Sequence, residues 1–331
     1  MGSLLLVLAL LALTFGNPTD ISAEKSGNRV GLVFQYGSAP YNDISFQGLM
    51  RAEKKLGIVE SVYIPIDWDH ETAIRQCVAD GNALCLSVGF LTGEAAIKVA
   101  GENPQVAFAI IDGGNDEGLG NLRSIWFDHR QAGYLAGIVA GKMTSTNKLG
   151  VVAGMEIPPV VEFAEGFRNA AQCNNPDAEV WIEYTGVFDD PDLGAQVAEE
   201  MVNGGADTIF NVAGLTGNGA ISRATELGAF AVGVDTDQYI TYFLHEGIAN
   251  NDLVLTSAMK NLDVAVFDTI EDFVKGRFTP GIKVYDLNNA GIDIAPFHEL
   301  SDDVPLTVYQ LVNKTRDDIS KGKVDLNNPC R

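Results

Sequence analysis

From Arg29 onward the chain alternates short apolar runs with stretches whose apolar positions recur at helical spacing. RVGLVFQY (Arg29–Tyr36) reads as a buried strand, and FQGLMRAEKKLG (Phe46–Gly57) as an amphipathic helix closed by glycine. The same pattern predicts strand Glu60–Pro65, helix His70–Ala79, strand Ala83–Val88, helix Thr92–Ala100 and strand Val106–Ile111. After a helix at Arg130–Met143 the rhythm restarts, with strands at Lys148–Ala153, Val180–Tyr184, Thr208–Val212 and Phe230–Val234. Helices at Val160–Ala171, Leu193–Asn203 and Gly219–Leu227 alternate with them. Leu253–Met259 then precedes a helix at Asp263–Lys275, a hairpin at Ile282–Phe297 and a helix at Pro305–Lys321. Repeated βαβ order means a parallel sheet covered by helices on both faces. The fold class is therefore α/β, with two doubly wound parallel-sheet lobes. No Pro-, Ser- or Gly-rich linker separates the halves, so hinge crossovers should join them. The expected partition is 28–127 with 258–280 as lobe I and 128–257 with 281–331 as lobe II.

The first segment differs in kind. SLLLVLALLALTFG (Ser3–Gly16) is apolar but shorter than the roughly 20 residues of a membrane-spanning helix, and a polar stretch follows it. Residues 1–23 read as a signal peptide, which predicts export, to the periplasm or the outer face of the membrane. Export permits disulfides. The four cysteines are Cys77, Cys85, Cys173 and Cys330, without the spacing of a zinc site, and none lies near the cleavage region to accept a lipid. Packing of the helix carrying Cys77 on the strand carrying Cys85 would join that pair; two buried thiols are the alternative.

The 331 residues suffice for two domains at about 150 residues each. With 22 Lys and Arg against 44 Asp and Glu, the net charge is −22. Affinity for a phosphate backbone rests on basic residues, so no nucleic-acid polymer is expected as a partner. Enzyme signatures are missing: the sequence has no G-x-x-x-x-G-K-[ST], no G-x-S-x-G and no H-E-x-x-H. The scattered His70, His129, His245 and His298 read as surface or capping residues. Neither a catalytic residue nor a metal or cofactor is expected.

Ligands of open parallel sheets sit beyond the carboxyl ends of the strands. Those ends carry Tyr41 and Asn42 after the first strand, Asp112 after Val106–Ile111, Phe188 after Val180–Tyr184, Gly214 after Thr208–Val212 and Asp235 after Phe230–Val234. Aromatic faces, an amide and proton-accepting carboxylates suit a flat ring bearing a polyol. Each position also has an ordinary structural reading, as a turn residue, a helix cap or inter-lobe packing.

Seven ordered segments, among them GLVFQYGSAPYNDISFQGLMRAEKKLG, FAIIDGG, YTGVFDD, FNVAGLTGNGA, VGVDTDQ and LTSAMKNLDVAV, resemble the basic membrane protein family over most of Val30–Lys275. The resemblance implies a type I periplasmic binding protein that serves an ABC transporter permease and binds a purine nucleoside, as a monomer. Family members usually carry D-x-S-F-N with Gly-Leu six residues on. Counting back from Gly48-Leu49 puts Tyr41 on the base-stacking Phe and Asn42 on the base-reading Asn, and leaves Ser45-Phe46 a decoy. The resemblance further assigns Asp112 to the base and Asp235 with Lys260 to the ribose. Phe188 becomes a second stacking ring. Ser38 departs from the family's Asp, and the family's lipid-anchoring Cys is missing. A receptor for a sugar or other small molecule on the same fold, and a nucleoside-cleaving enzyme, remain the alternatives.

Overall fold

The computed structural model describes residues 28–36, 40–114, 117–327 and 330. The signal-peptide reading of 1–23 and the position of Ser38 lie outside them. In chain order the first run of elements is β1 (Arg29–Val33), α1 (Pro40–Leu56), β2 (Val59–Tyr63), α2 (His70–Ala79), β3 (Leu84–Val88), α3 (Gly93–Glu102), β4 (Ala107–Ile111) and β5 (Leu122–Phe127). The second run is α4 (His129–Met143), β6 (Lys148–Ala153), α5 (Pro158–Asn174), β7 (Glu179–Tyr184), α6 (Pro191–Asn203), β8 (Thr208–Val212), α7 (Gly214–Glu226), β9 (Phe230–Asp235) and β10 (Val254–Lys260). The chain ends with α8 (Leu262–Val274), β11 (Gly281–Tyr285), β12 (Ile292–Ile294) and α9 (Leu306–Ser320).

These elements form two sheets of six strands, ordered β11-β5-β4-β3-β1-β2 and β12-β10-β9-β8-β6-β7. β3 and β8 are buried along their whole length, because helices cover both faces of a parallel sheet. β7, at an edge, alternates between exposed and half-buried positions. The helix pair α4 and α5 packs so closely that a Cβ on Gly133 or Gly137 would strike the backbone of Phe163 or Phe167. The Gly133–Gly137–Gly141 spacing of α4 is thus a packing device that brings α5, and with it Phe163, toward the space between the lobes.

The lobe boundaries need correction. β10 stays in the second sheet to its last residue, pairing with β9 through Met259 and with β12 at Lys260, so 258–260 belong to lobe II. β11 pairs in parallel with β5, so 281–285 belong to lobe I. The hairpin expected at Ile282–Phe297 does not form: its first arm joins the first sheet, and its second pairs antiparallel with β10 in the other. Two apolar runs around a turn carry a hairpin signal locally, but here the turn is a crossover. Among the described residues the chain passes between the lobes three times, at Asp128, at Asn261 and through 286–291. The passages are tied together: Asp128 N–H donates to the Tyr285 carbonyl at 2.9 Å, and Asn261 N–H to that of Gly291 at 2.8 Å.

Cys77 on α2 is bonded to Cys85 on β3, with Cα atoms 6.3 Å apart. Cys173 on α5 is bonded to Cys330, with Cα atoms 5.2 Å apart, which pins the end of the chain to lobe II. Among the described residues no helix is long and apolar enough to cross a membrane.

Candidate functional site

The two sheets are built to one plan. β4 and β9 each hold the third place in their sheet, and at the carboxyl end of each stands an aspartate, Asp112 with φ +60° and Asp235 with φ +63°. Asp is one of the few side chains that tolerate this left-handed backbone. Both carboxylates face a cleft between the lobes, with Tyr36, Tyr41, Phe163, Phe188, Gly214 and Lys260 also in its wall.

Lys260, the last residue of β10, joins the two carboxylates. Its Nζ lies 2.7 Å from Asp112 Oδ2 and 3.3 Å from Asp235 Oδ1. The ammonium is also within 6 Å of three ring centroids, those of Tyr41, Phe127 and Phe163, with Tyr41 nearest at 4.7 Å. Burial alone would push its pKa down, but the carboxylates of Asp112 and Asp235 overcome that and raise it, so Lys260 stays charged.

Asp112 is saturated. Oδ2 accepts from Tyr41 Oη at 2.7 Å as well as from Lys260, and Oδ1 is 3.0 Å from His129 Nε2. Burial works against its charge, and the Lys260 and His129 cations more than reverse this, holding the carboxyl well below the usual range. His129 is fully buried, a correction to the surface or capping reading. It lies one residue past the Asp128 crossover, with Nδ1 3.3 Å from Glu162 Oε2. Burial lowers its pKa, but Asp112 and Glu162 raise it on balance. The sequence pattern predicts no strand at β5, which delivers it, so the strand-end rule does not reach this residue.

Asp235 is the opposite case. Its side chain is 19% exposed against 4% for Asp112, and Lys260 is its longer partner. Burial raises its pKa, the Lys260 charge only partly offsets this, and Asp112 adds to the rise. A half-satisfied carboxylate in a cleft wall has acceptor capacity to offer.

Of the residues singled out from sequence, Tyr41, Asp112, Phe188, Gly214, Asp235 and Lys260 share this wall. Asn42 does not. In the first turn of α1 it is fully buried, and its Nδ2 donates to the Tyr36 carbonyl at 2.8 Å. The helix starts at Pro40, earlier than the Phe46 expected, so Tyr41 and Asn42 point in different directions from one turn. Phe46 is 38% exposed and outside the wall. Gly214, with φ +58°, lies where a Cβ would stand 3.3 Å from the Phe188 carbonyl oxygen and 3.4 Å from Tyr36 Oη. Tyr36 from lobe I therefore meets lobe II at this glycine. The strand β1 ends at Val33, so Tyr36 lies three positions beyond it, but the apolar run reads as a strand through Tyr36 itself and hides the residue inside the element. Phe163 sits on a helix, where that rule is blind.

Two α/β lobes, three crossovers and a cleft lined from both sides define a solute-binding protein of the type I periplasmic class. The ABC transporter substrate-binding protein PnrA-like family matches residues 35–326. The chain is 30% identical over 266 residues to the ABC transporter nucleoside-binding protein BmpA of Lactococcus lactis, covering 77% of this chain and 74% of that one. It is 29% identical over 345 residues to an uncharacterised lipoprotein of Pyrococcus abyssi, covering 95% and 83%. A solved solute-binding protein of an ABC transporter system from Aeropyrum pernix superposes with a TM-score of 0.79 at 27% identity, over 90% of this chain and 92% of that one. This protein belongs to the PnrA-like family of ABC transporter substrate-binding proteins.

Proposed function

We propose that this protein captures a purine nucleoside between its lobes, on the outer side of the membrane, and delivers it as a monomer to the permease of an ABC transporter. The observation that carries the reading is the pairing of two chemistries in one cleft. Aromatic rings face it from both lobes, Tyr41 and Phe188, and beside them stand an unsaturated carboxylate and an ammonium, Asp235 and Lys260. A base inserts between the rings, where stacking on an aromatic face contributes about 1–3 kcal/mol. One face of Tyr41 is already taken by the Lys260 ammonium, which leaves the other for the base. The ribose hydroxyls donate to Asp235 and accept from Lys260. Asn42, expected to read the base, acts instead through Tyr36, whose carbonyl it holds. The Lactococcus relative is named a nucleoside-binding protein, which supports a nucleoside as the ligand.

The test is direct. The purified protein is denatured, and the released small molecule is identified by mass spectrometry. Calorimetry then compares adenosine, guanosine and inosine with the free bases and with ribose. Nucleoside binding well above that of either fragment supports the reading; tight binding of a sugar with none of a nucleoside overturns it.

A further inference from the structure

Behind the cleft wall of lobe II lies a chain of three buried amides that the assignments above do not use. Asn211 is on β8, Asn218 on α7, and Gln238 follows β9; none is more than 6% exposed. The orientation of a side-chain amide is ambiguous unless a group of known polarity fixes it. Here two backbone N–H groups, which can only donate, do so. Ala213 N–H donates to Asn211 Oδ1 at 2.9 Å, which makes the other terminal atom of Asn211 its NH2. Val234 N–H donates to Gln238 Oε1 at 2.9 Å, and Asn211 Nδ2 donates to the same oxygen at 3.0 Å. Gln238 Nε2 is thereby turned toward Asn218 and donates to Asn218 Oδ1 at 2.7 Å, with a longer contact from Asn211 Nδ2 at 3.4 Å.

The room for this relay is built in. A Cβ on Gly217 would overlap the Asn211 amide, and one on Gly233 would strike Ser257 Oγ, which accepts from Gln238 N–H at 3.0 Å. With its oxygen held from behind, Asn218 presents its Nδ2. The residue lines both the cleft and a second cavity that Asp43 and Ile44 of lobe I and Thr236 and Tyr242 of lobe II also wall. Among the described residues, Asn218 Nδ2 has no hydrogen-bond acceptor.

We infer that Asn218 is a specificity-determining contact, an uncharged donor whose direction is fixed by Ala213 and Val234 through Asn211 and Gln238. The bound molecule must therefore place an acceptor atom there. The ligand contacts from this lobe thus have opposite polarity, Asp235 accepting and Asn218 donating, and a molecule with a donor at the Asn218 position is rejected because two N–H groups would oppose each other. The inference rests on the nucleoside reading for the identity of the acceptor, which is a base nitrogen or the 5′-oxygen.

A ligand–protein double-mutant cycle tests it. Affinities of adenosine, 1-deazaadenosine, 3-deazaadenosine, 7-deazaadenosine and 5′-deoxyadenosine are measured by calorimetry for the wild type, Asn218→Ala and Asn218→Asp. Asn218→Asp keeps an oxygen for Gln238 to donate to and serves if the alanine variant fails to fold. In the wild type, one of the four analogues should bind about tenfold more weakly than adenosine, the loss expected when a buried donor is left unpaired. In the Asn218 variants, adenosine itself should weaken and the penalty of that one analogue should vanish. Gln238→Glu cannot donate to Asn218 Oδ1, turns the Asn218 amide round and should reproduce the loss of adenosine with residue 218 unchanged. If the wild type binds adenosine and every analogue keeps the same penalty in the Asn218 variants, this inference falls and the nucleoside reading stands. If the wild type binds no purine nucleoside, both fall.

Discussion

Asp112 and Asp235 occupy equivalent places in two sheets of one design, with the same left-handed backbone and the same cleft before them, yet their surroundings differ. Asp112 has three donors on two oxygens and its pKa is driven down, although burial pushes the other way. Asp235 has the far end of a shared lysine and its pKa is driven up, by burial above all. Fold symmetry therefore supplies two carboxylates, and their partners divide the work. His129 and Lys260 each adjoin a crossover, so the saturated aspartate ties lobe I to the hinge. The unsaturated one is left facing the cleft with acceptor capacity to spare.

Lys260→Met should give the largest effect, because it strips both carboxylates of their shared cation. Breaking a buried ion pair by removing one partner costs about 3–5 kcal/mol, so urea unfolding should show a loss of that order along with loss of nucleoside binding. The next variants separate the two carboxylates. Asp112→Asn leaves His129 and Lys260 underpaired and should destabilise the fold by about 2–3 kcal/mol. Asp235→Asn should leave the unfolding midpoint nearly unchanged while weakening a nucleoside about ten- to a hundredfold and its free base little. Equal stability losses in the two variants would erase the distinction.

Much of this arrangement is legible in the sequence, and the reason is local. An apolar run ending in Asp, such as AFAII before Asp112 or FAVGV before Asp235, shows both the strand and the residue at its mouth. What is not legible depends on partners distant in the chain. The run at 281–285 looks the same whether it pairs within a hairpin or joins β5, and only the assembled sheet decides. The bond between Cys173 and Cys330 spans 157 residues and leaves no local mark, unlike that between Cys77 and Cys85 on adjoining elements. Asn42 is placed at the site by family register alone. Register fixes position along the helix, but not which neighbouring groups the side chain meets.

Acid should separate the two aspartates again. The folded Asp112 pKa lies below its unfolded value near 3.9, so its stabilisation is fully present above about pH 3.9 and is lost only as pH falls through the lower folded value. The folded Asp235 pKa lies above that reference, so Asp235 takes up its proton first as pH falls. Nucleoside affinity should therefore decline as pH falls toward about 4 while the Asp112 contribution to stability is intact, and Asp235→Asn should flatten that decline. His129 has the opposite sign: its raised pKa gives stability that is full below about pH 6.5 and is lost as pH rises through the folded value. If calorimetry and unfolding show affinity and stability falling together in acid, and equally in Asp235→Asn, the two carboxylates do not divide the work as argued.

The smallest change tests the finest point. Tyr41→Phe keeps the ring that faces the cleft and removes only the hydroxyl that donates to Asp112 Oδ2 at 2.7 Å. Burial and the Asp112 charge hold the tyrosine pKa well above its usual value, so the wild-type hydroxyl stays a donor throughout the neutral range. Its loss should cost about 1 kcal/mol of stability, the net contribution of one hydrogen bond, since Lys260 and His129 still satisfy the carboxylate. Stacking is unaltered, so adenosine affinity should change by less than about threefold. The alternative result is equally informative. The phenylalanine variant frees one acceptor position on Asp112, the residue the family resemblance assigns to the base. A gain of about tenfold for a nucleoside with a donor on its base, together with unchanged affinity for one without, would mean that Asp112 reads the ligand whenever its tyrosine allows, and that the two aspartates are closer in role than their surroundings imply.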